Sequence, residues 1–357
     1  MTKRKKIVLV VSLSVLSAVV TYFVGGLVAT RVAIDTLLDV RGSTEDSLNT
    51  LEYQIQKNRS DFPALANREL ISFKCNKETL QGYFYEVSNP KGVVITAHGV
   101  NTLADAHGQL QNYFVNNSYD VFSFDMTGCG RSSGKGMKTL HESRFCVRDA
   151  VKTVQNLDKT KDLPIFLVGH SWGGYGVVAA TEDVKGVSAV VAFSGFNQSG
   201  DIMYGFVASQ LPVAAVTKPA LDTSLSLYYG NYEWFKASTA VKHNPDVKYM
   251  IVQGDKDNVV PLKRFSSYAN IDENKNPNVT KVLLKDVGHS GPWREKTSID
   301  YSDDLSNKLS DLRRKYNDDI PEDVKQEFLS SIDKEKSSVL NLDLMNQIND
   351  LFLSTIK

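Results

Sequence analysis

Cysteine is scarce in this 357-residue sequence: Cys75, Cys129 and Cys146 are the whole complement, an odd number with no CxxC pair. Neither a disulfide framework nor a zinc knuckle can organise such a chain, although a single pairing of Cys75 stays open. An excess of either charge is also missing. Forty-one basic residues balance forty-one acidic ones, so nothing draws the chain to nucleic acid through bulk electrostatics. There is no H-E-x-x-H stretch, no internal repeat and no low-complexity tract, and no metal or cofactor is expected. Apolar residues, by contrast, are plentiful. At 42% hydrophobic and 10% aromatic, the chain can bury a large core and is not disordered.

The glycine-rich stretch GCGRSSGKG, residues 128–136, follows an apolar run and invites comparison with a phosphate loop. A P-loop places four residues between its first glycine and Gly-Lys, then Ser or Thr; here the spacing is wrong from either Gly128 or Gly130, and Gly136 follows Lys135. The dinucleotide pattern fails as well, because Gly130 and Gly134 stand too far apart. Nucleotide binding is therefore rejected.

At the N-terminus, Lys3, Arg4, Lys5 and Lys6 precede an uncharged segment from Ile7 to Thr30. As a helix it would measure roughly 36 Å at about 1.5 Å per residue, longer than the roughly 30 Å hydrocarbon core of a bilayer. A cleaved signal peptide is the alternative, but its apolar region is shorter and ends at a small-residue site that is not clean here. The sequence thus predicts a basic cytoplasmic tail (1–6), a single transmembrane anchor (7–30) and the remainder outside; the alternative is secretion after cleavage. Residues 31–66, with Leu48, Leu51 and Ile55 at helical spacing and Pro63 closing the segment, read as a helical stalk.

From there the pattern changes to strands. Leu70–Cys75 and Thr79–Val87 read as an antiparallel hairpin, and strands are then expected at Val93–Ala97, Asp120–Phe124, Ile165–Val168, Ser188–Phe193, Lys248–Gln253 and Thr280–Leu284. Helical stretches alternate with them, notably Leu140–Leu157. That alternation implies an α/β fold: a mostly parallel sheet with helices on both faces, with chemistry at the carboxyl ends of the strands. Two segments interrupt it. Residues 197–246 form an insertion rich in aromatics, among them Tyr204, Phe206 and Trp234. Residues 301–340 carry the stripes Leu305, Leu309, Leu312, Tyr316 and Val324, Phe328, Ile332, and a final helix follows within 341–357.

The candidate chemistry lies at three strand ends. Gly169-His170-Ser171-Trp172-Gly173 fits G-x-S-x-G between an apolar strand and a small-residue helix, the context in which a serine is held on a strained turn. Asp257 lies just beyond Gly254, and His289 sits in a glycine-bracketed loop after the last strand. Serine catalysis needs all three types: a hydroxyl as nucleophile, an imidazole to accept its proton and a carboxylate to hold the imidazole. It also needs donors for the oxyanion. The backbone N–H of Trp172 and that of Val100, in the loop Ala97-His98-Gly99-Val100-Asn101, are the candidates. Asp255 and Asp286 are weaker acids for the role, and His98 and His170 read as structural histidines.

These motifs resemble the α/β-hydrolase family, in particular its monoacylglycerol-lipase-like and serine-aminopeptidase-like members. The resemblance rests on His98-Gly99, on Asp125, Gly128, Gly130, Ser132 and Gly134, on residues 169–174, on Gly254 to Asp257 and on Gly288-His289. It covers about residues 68–300 plus the last helix, and implies a hydrolase core over 67–300 with a helical cap at 197–246. It leaves 301–340 as a helical C-terminal insertion before the final helix of the core. The expected activity is hydrolysis of a carboxylic ester with an apolar acyl or aromatic part, with Tyr204, Phe206 and Trp234 in the substrate pocket. The same residues would also serve a serine peptidase, an aminopeptidase or an acyltransferase. A non-catalytic surface scaffold, binding a protein partner through the helical tail, is the reading from another class. Expected partners are a small-molecule ester and the membrane.

Overall fold

The computed structural model describes residues 2–37, 39–210 and 214–356, save the side chains of 33, 37, 206–210 and 214–217. Its centre is an eight-stranded sheet of strands β1 (Glu69–Cys75), β2 (Glu78–Tyr85), β3 (Val93–Ala97), β4 (Asp120–Phe124), β5 (Ile165–His170), β6 (Val187–Phe193), β7 (Lys248–Gly254) and β8 (Val279–Leu284). Their order is β1-β2-β4-β3-β5-β6-β7-β8. β1 and β2 pair antiparallel around Asn76, whose φ of 52° lies in the left-handed region that asparagine tolerates, and β2 is antiparallel to β4. All later pairs are parallel.

The central strands read as continuous apolar runs because both of their faces are covered. Every residue of β3 is buried, with Val93, Ile95 and Ala97 on one face and Val94 on the other. Helices Glu142–Gln155 and Trp172–Ala179 cover the first face, and helices Gly108–Asn116 and Leu342–Leu353 the second. In the last of these, Phe352 stacks on Phe166 of β5 at 4.3 Å and 9°. The cap contains helices Ser199–Gln210 and Ala214–Tyr229, whereas Ala237–His243 returns to the core through Ala237, Ala240 and Val241.

The N-terminal helix runs unbroken from Lys3 to Leu37, past the apolar segment. The expected helical stalk does not follow. Residues 41–66 instead form a strap of short turns laid on the sheet domain, with Ile55, Asn58 and Leu65 buried. Helical continuation gives way to local capping: Asn58 accepts from the Ser60 N–H and Asp61 from the Asn58 N–H, closing one turn only. Arg41 donates to the carbonyls of Gly130, Ser132 and Gly134, which gives the glycine-rich loop its partner. The tail helices Lys296–Tyr316 and Glu322–Ser330 pack their apolar stripes together and against Ile55 of the strap, through Leu305, Leu309, Ile320 and Phe328.

Candidate active site

Between β5 and helix Trp172–Ala179 the chain reverses at Ser171, whose φ of 54° and ψ of −111° are costly for a residue with a Cβ. The turn survives because its neighbours are small. A Cβ at Gly173 would stand 2.1 Å from the Ala97 carbonyl oxygen, and one at Gly169 2.3 Å from that of Gly173. The Ser171 N–H donates to Phe193 O at 2.8 Å and the Gly173 N–H to His98 O at 3.1 Å, tying the elbow to both neighbouring strand ends.

The structure brings the three sequence candidates together. Ser171 Oγ lies 2.9 Å from His289 Nε2, and His289 Nδ1 lies 2.8 Å from Asp257 Oδ2. Asp257 is buried, and its second oxygen accepts the N–H groups of Val259 and Val260 at 3.0 and 2.8 Å. Burial alone would push this carboxyl up, but the hydrogen bond and charge of His289, with the Val260 N–H, hold it below its usual value. An ionised Asp257 requires a proton on Nδ1, which leaves Nε2 free to accept from the serine. Asp255 is occupied elsewhere, accepting the Asp286 N–H at 2.7 Å.

Val100 and Ser171 both line one cavity of about 620 Å³. Trp172 begins the elbow helix, where the first N–H groups have no partner within the helix. His98 is structural: Nε2 accepts from the Met126 N–H at 2.9 Å, so Nδ1 donates to Gly99 O at 2.7 Å. Asp125 is structural too, accepting from Tyr83 Oη at 2.6 Å and from the Ala104 N–H at 3.0 Å.

The expected pocket aromatics require correction. Tyr204 and Trp234 do not line the cavity; the Lys218 ammonium stands 5.2 and 5.7 Å from their ring centres, and Trp234 Nε1 donates to Ser226 Oγ, so both consolidate the cap. The Phe206 side chain lies outside the described residues. The apolar lining comes instead from Met137, Leu140, Phe196, Ile202, Met203 and Leu221.

A family model described as serine aminopeptidase, S33, matches residues 88–227. Monoglyceride lipase of Mus musculus is 29% identical over 136 residues, 38% of this chain and 43% of that protein. The human enzyme is 29% identical over 115 residues, 32% of this chain and 36% of its own. The chain has the α/β-hydrolase fold, and its sequence is similar to those of monoglyceride lipases. The chain is also 30% identical to a monoglyceride lipase homologue of monkeypox virus over 114 residues, 31% of this chain and 41% of that one. It spans less than half the length of these curated relatives. A Pyrococcus furiosus esterase structure shares 16% identity at a TM-score of 0.49, over 70% of this chain and 91% of that one.

Gln253 was not singled out from sequence, and the partner of His170, read there as structural, was not foreseen. Gln253 Nε2 donates to Asp257 Oδ2 at 2.8 Å, and His170 Nε2 donates to the His289 carbonyl at 2.8 Å, holding the histidine loop against the elbow. Burial, reinforced by the neighbouring His289, pushes His170 down to about 3, so it stays neutral. These are contacts between distant segments and carry no local signature. Cys75, Glu142 and Cys146 also converge, their ligand atoms within 4.8 Å of one another in the core, Cys75 joining from a strand about 70 residues away.

Proposed function

We propose that the chain is a membrane-anchored serine hydrolase that cleaves carboxylic esters through an acyl-enzyme, with its catalytic domain on the outer side of a cytoplasmic membrane. One observation carries this reading: the unbroken relay from Ser171 through His289 to buried Asp257. As Ser171 Oγ bonds to the ester carbonyl carbon, its proton passes to His289 Nε2. The carbonyl π electrons move to the oxygen, which accepts the N–H groups of Val100 and Trp172. Collapse breaks the bond to the alcohol oxygen, which takes the proton from His289 and leaves. Water, deprotonated by the same nitrogen, then attacks the acyl-enzyme, and the acid departs as Ser171 recovers its proton.

An ester fits the cavity better than a peptide with a free amino terminus, which would want an unspent carboxylate nearby. Glu233 is fully buried and bound to His141 at 2.5 Å and to Ser199. Asp201 does not line the cavity, and Glu52, the acidic residue in the described lining, is paired with Arg313. A fluorophosphonate probe is expected to label wild type and not Ser171→Ala, and p-nitrophenyl esters should be turned over in preference to amino-acid anilides. Equal labelling of both proteins would refute the mechanism, whereas faster anilide cleavage would move the reading to a peptidase.

A further inference from the structure

The cavity that reaches Ser171 is walled in part by Thr30 and Ile34, two residues of the N-terminal helix. Both are buried, at 6% and 1% exposure, although they belong to the helix that is long and apolar enough to cross a membrane. One face of its last turns, Gly26, Leu27, Thr30 and Ile34, is covered. The opposite face, Val24, Val28 and Val32, is 52 to 59% exposed, and the spacing of four residues on each side is that of a helix lying against a surface.

The covering element is the cap helix Ala214–Tyr229. A Cβ at Gly26 would stand 2.4 Å from that of Ala220, so the two helices touch backbone to side chain because residue 26 has no Cβ. Further along the contact, Tyr228 Oη donates to Leu27 O at 3.4 Å, and the Arg31 guanidinium lies 5.9 Å from the Tyr228 ring centre. From Ile7, about 20 residues at about 1.5 Å each cross a hydrocarbon core of roughly 30 Å, which brings Gly26 to Ile34 to the head-group level. The cavity wall therefore meets the bilayer surface.

The lining is also sorted by polarity. Ile34, Leu221, Met137, Leu140 and Phe196 belong to one packed apolar cluster, whereas Glu52, Gln56 and Lys57 enter from the strap. A volume of about 620 Å³ lies within the range of about 300–1,000 Å³ for a site enclosing one small molecule.

We propose that the N-terminal helix is a substrate-binding element as well as an anchor. The ester of a long-chain fatty acid enters from the adjoining leaflet along the seam between this helix and the cap, its chain against Ile34 and Leu221, its polar head toward the strap and its carbonyl at Ser171. The inference rests on the serine-hydrolase reading above.

The test uses the full chain in phosphatidylcholine vesicles and compares kcat/KM for monooleoylglycerol in the bilayer with that for soluble p-nitrophenyl acetate. Ile34→Trp, which fills the wall, is expected to lower the ratio of the two at least tenfold, the scale on which reshaping an apolar pocket discriminates between substrates. Ile34→Ala, which enlarges the wall without a clash, should change the ratio in a chain-length-dependent way across monoacylglycerols. Val32→Trp, on the uncovered face, should leave the ratio unaltered. An unchanged ratio in both Ile34 variants, or an equal change in Val32→Trp, overturns the proposal. Wild type that neither binds the fluorophosphonate nor cleaves p-nitrophenyl acetate instead overturns the hydrolase reading itself.

Discussion

At the scale of single residues the site is surrounded by imidazoles kept neutral. His107 is buried and His170 half-buried, their rings 6.2 Å apart, and both pack on Trp293 at 5.3 Å. Burial, with the neighbouring imidazole, pushes His107 well below the usual value and His170 to about 3. The sign follows from linkage. In the unfolded chain both rings bind a proton below about pH 6.5, and the native state refuses it, so stability is full above that pH and falls as the pH drops toward the folded values. Each such group accounts for up to about 1.4 kcal/mol between pH 7.5 and 5.5, and His98, also lowered by burial, adds to the pair. Thermal unfolding of the detergent-solubilised protein, followed by tryptophan fluorescence, measures it. His107→Asn should make the decline shallower, and a decline of undiminished slope would place the titrating groups elsewhere.

At the scale of elements, the strap is held by charge as well as by apolar contact. Asp105 is buried beneath it, hydrogen-bonded to Arg68 through both carboxylate oxygens and to Arg59 Nε at 3.2 Å. Removing the acid leaves two guanidiniums facing an emptied pocket, and Arg68 itself is only 10% exposed. Asp105→Ala is therefore expected to destabilise the protein by about 3–5 kcal/mol, the cost of breaking a buried pair from one side; chemical denaturation provides the measurement, and a loss below about 1 kcal/mol would mark the cluster as an ordinary surface pair. The strap also marks where the sequence ceases to be legible. Strands β3 to β7 are legible to within two residues at their ends because a run buried on both faces is largely apolar, whereas β8, at the edge of the sheet and partly exposed, shows only a short apolar stretch. The elbow at Ser171 is legible for a related reason: its small residues answer to close backbone contacts within a few positions. Leu48, Leu51 and Ile55 have helical spacing too, yet Ile55 is buried against Leu305 and Phe328, partners some 250 residues away. Spacing reports that a residue is covered, and the covering segment decides the shape. The same holds for Thr30 and Ile34, buried in a uniformly apolar segment whose composition does not mark which face is covered.

At the scale of the whole molecule, the N-terminal helix, cap and core form one continuous packing. Ile34 lies in the same apolar cluster as Leu221 of the cap and Trp172 of the elbow. The Ser171–His289–Asp257 relay, however, depends only on the ends of β5, β7 and β8, none of which touches the N-terminal helix through the relay itself. The two parts should therefore separate on truncation. A chain starting at residue 39 loses the cover over Ala220, Leu221 and Leu225, residues that are at most 6% exposed in the intact protein. Loss of the Ile34 contact alone forfeits about 1.5–3 kcal/mol of apolar burial. The shortened protein is expected to unfold at lower temperature and to bind an apolar dye at the bared cap, while Ser171 still reacts with a fluorophosphonate. If truncation abolishes labelling in protein that remains folded by circular dichroism, then the anchor helix holds the catalytic residues in place and its role is larger than that of a wall. If it changes neither stability nor dye binding, the helix does not pack on the cap at all, and the seam through which a lipid would enter does not exist.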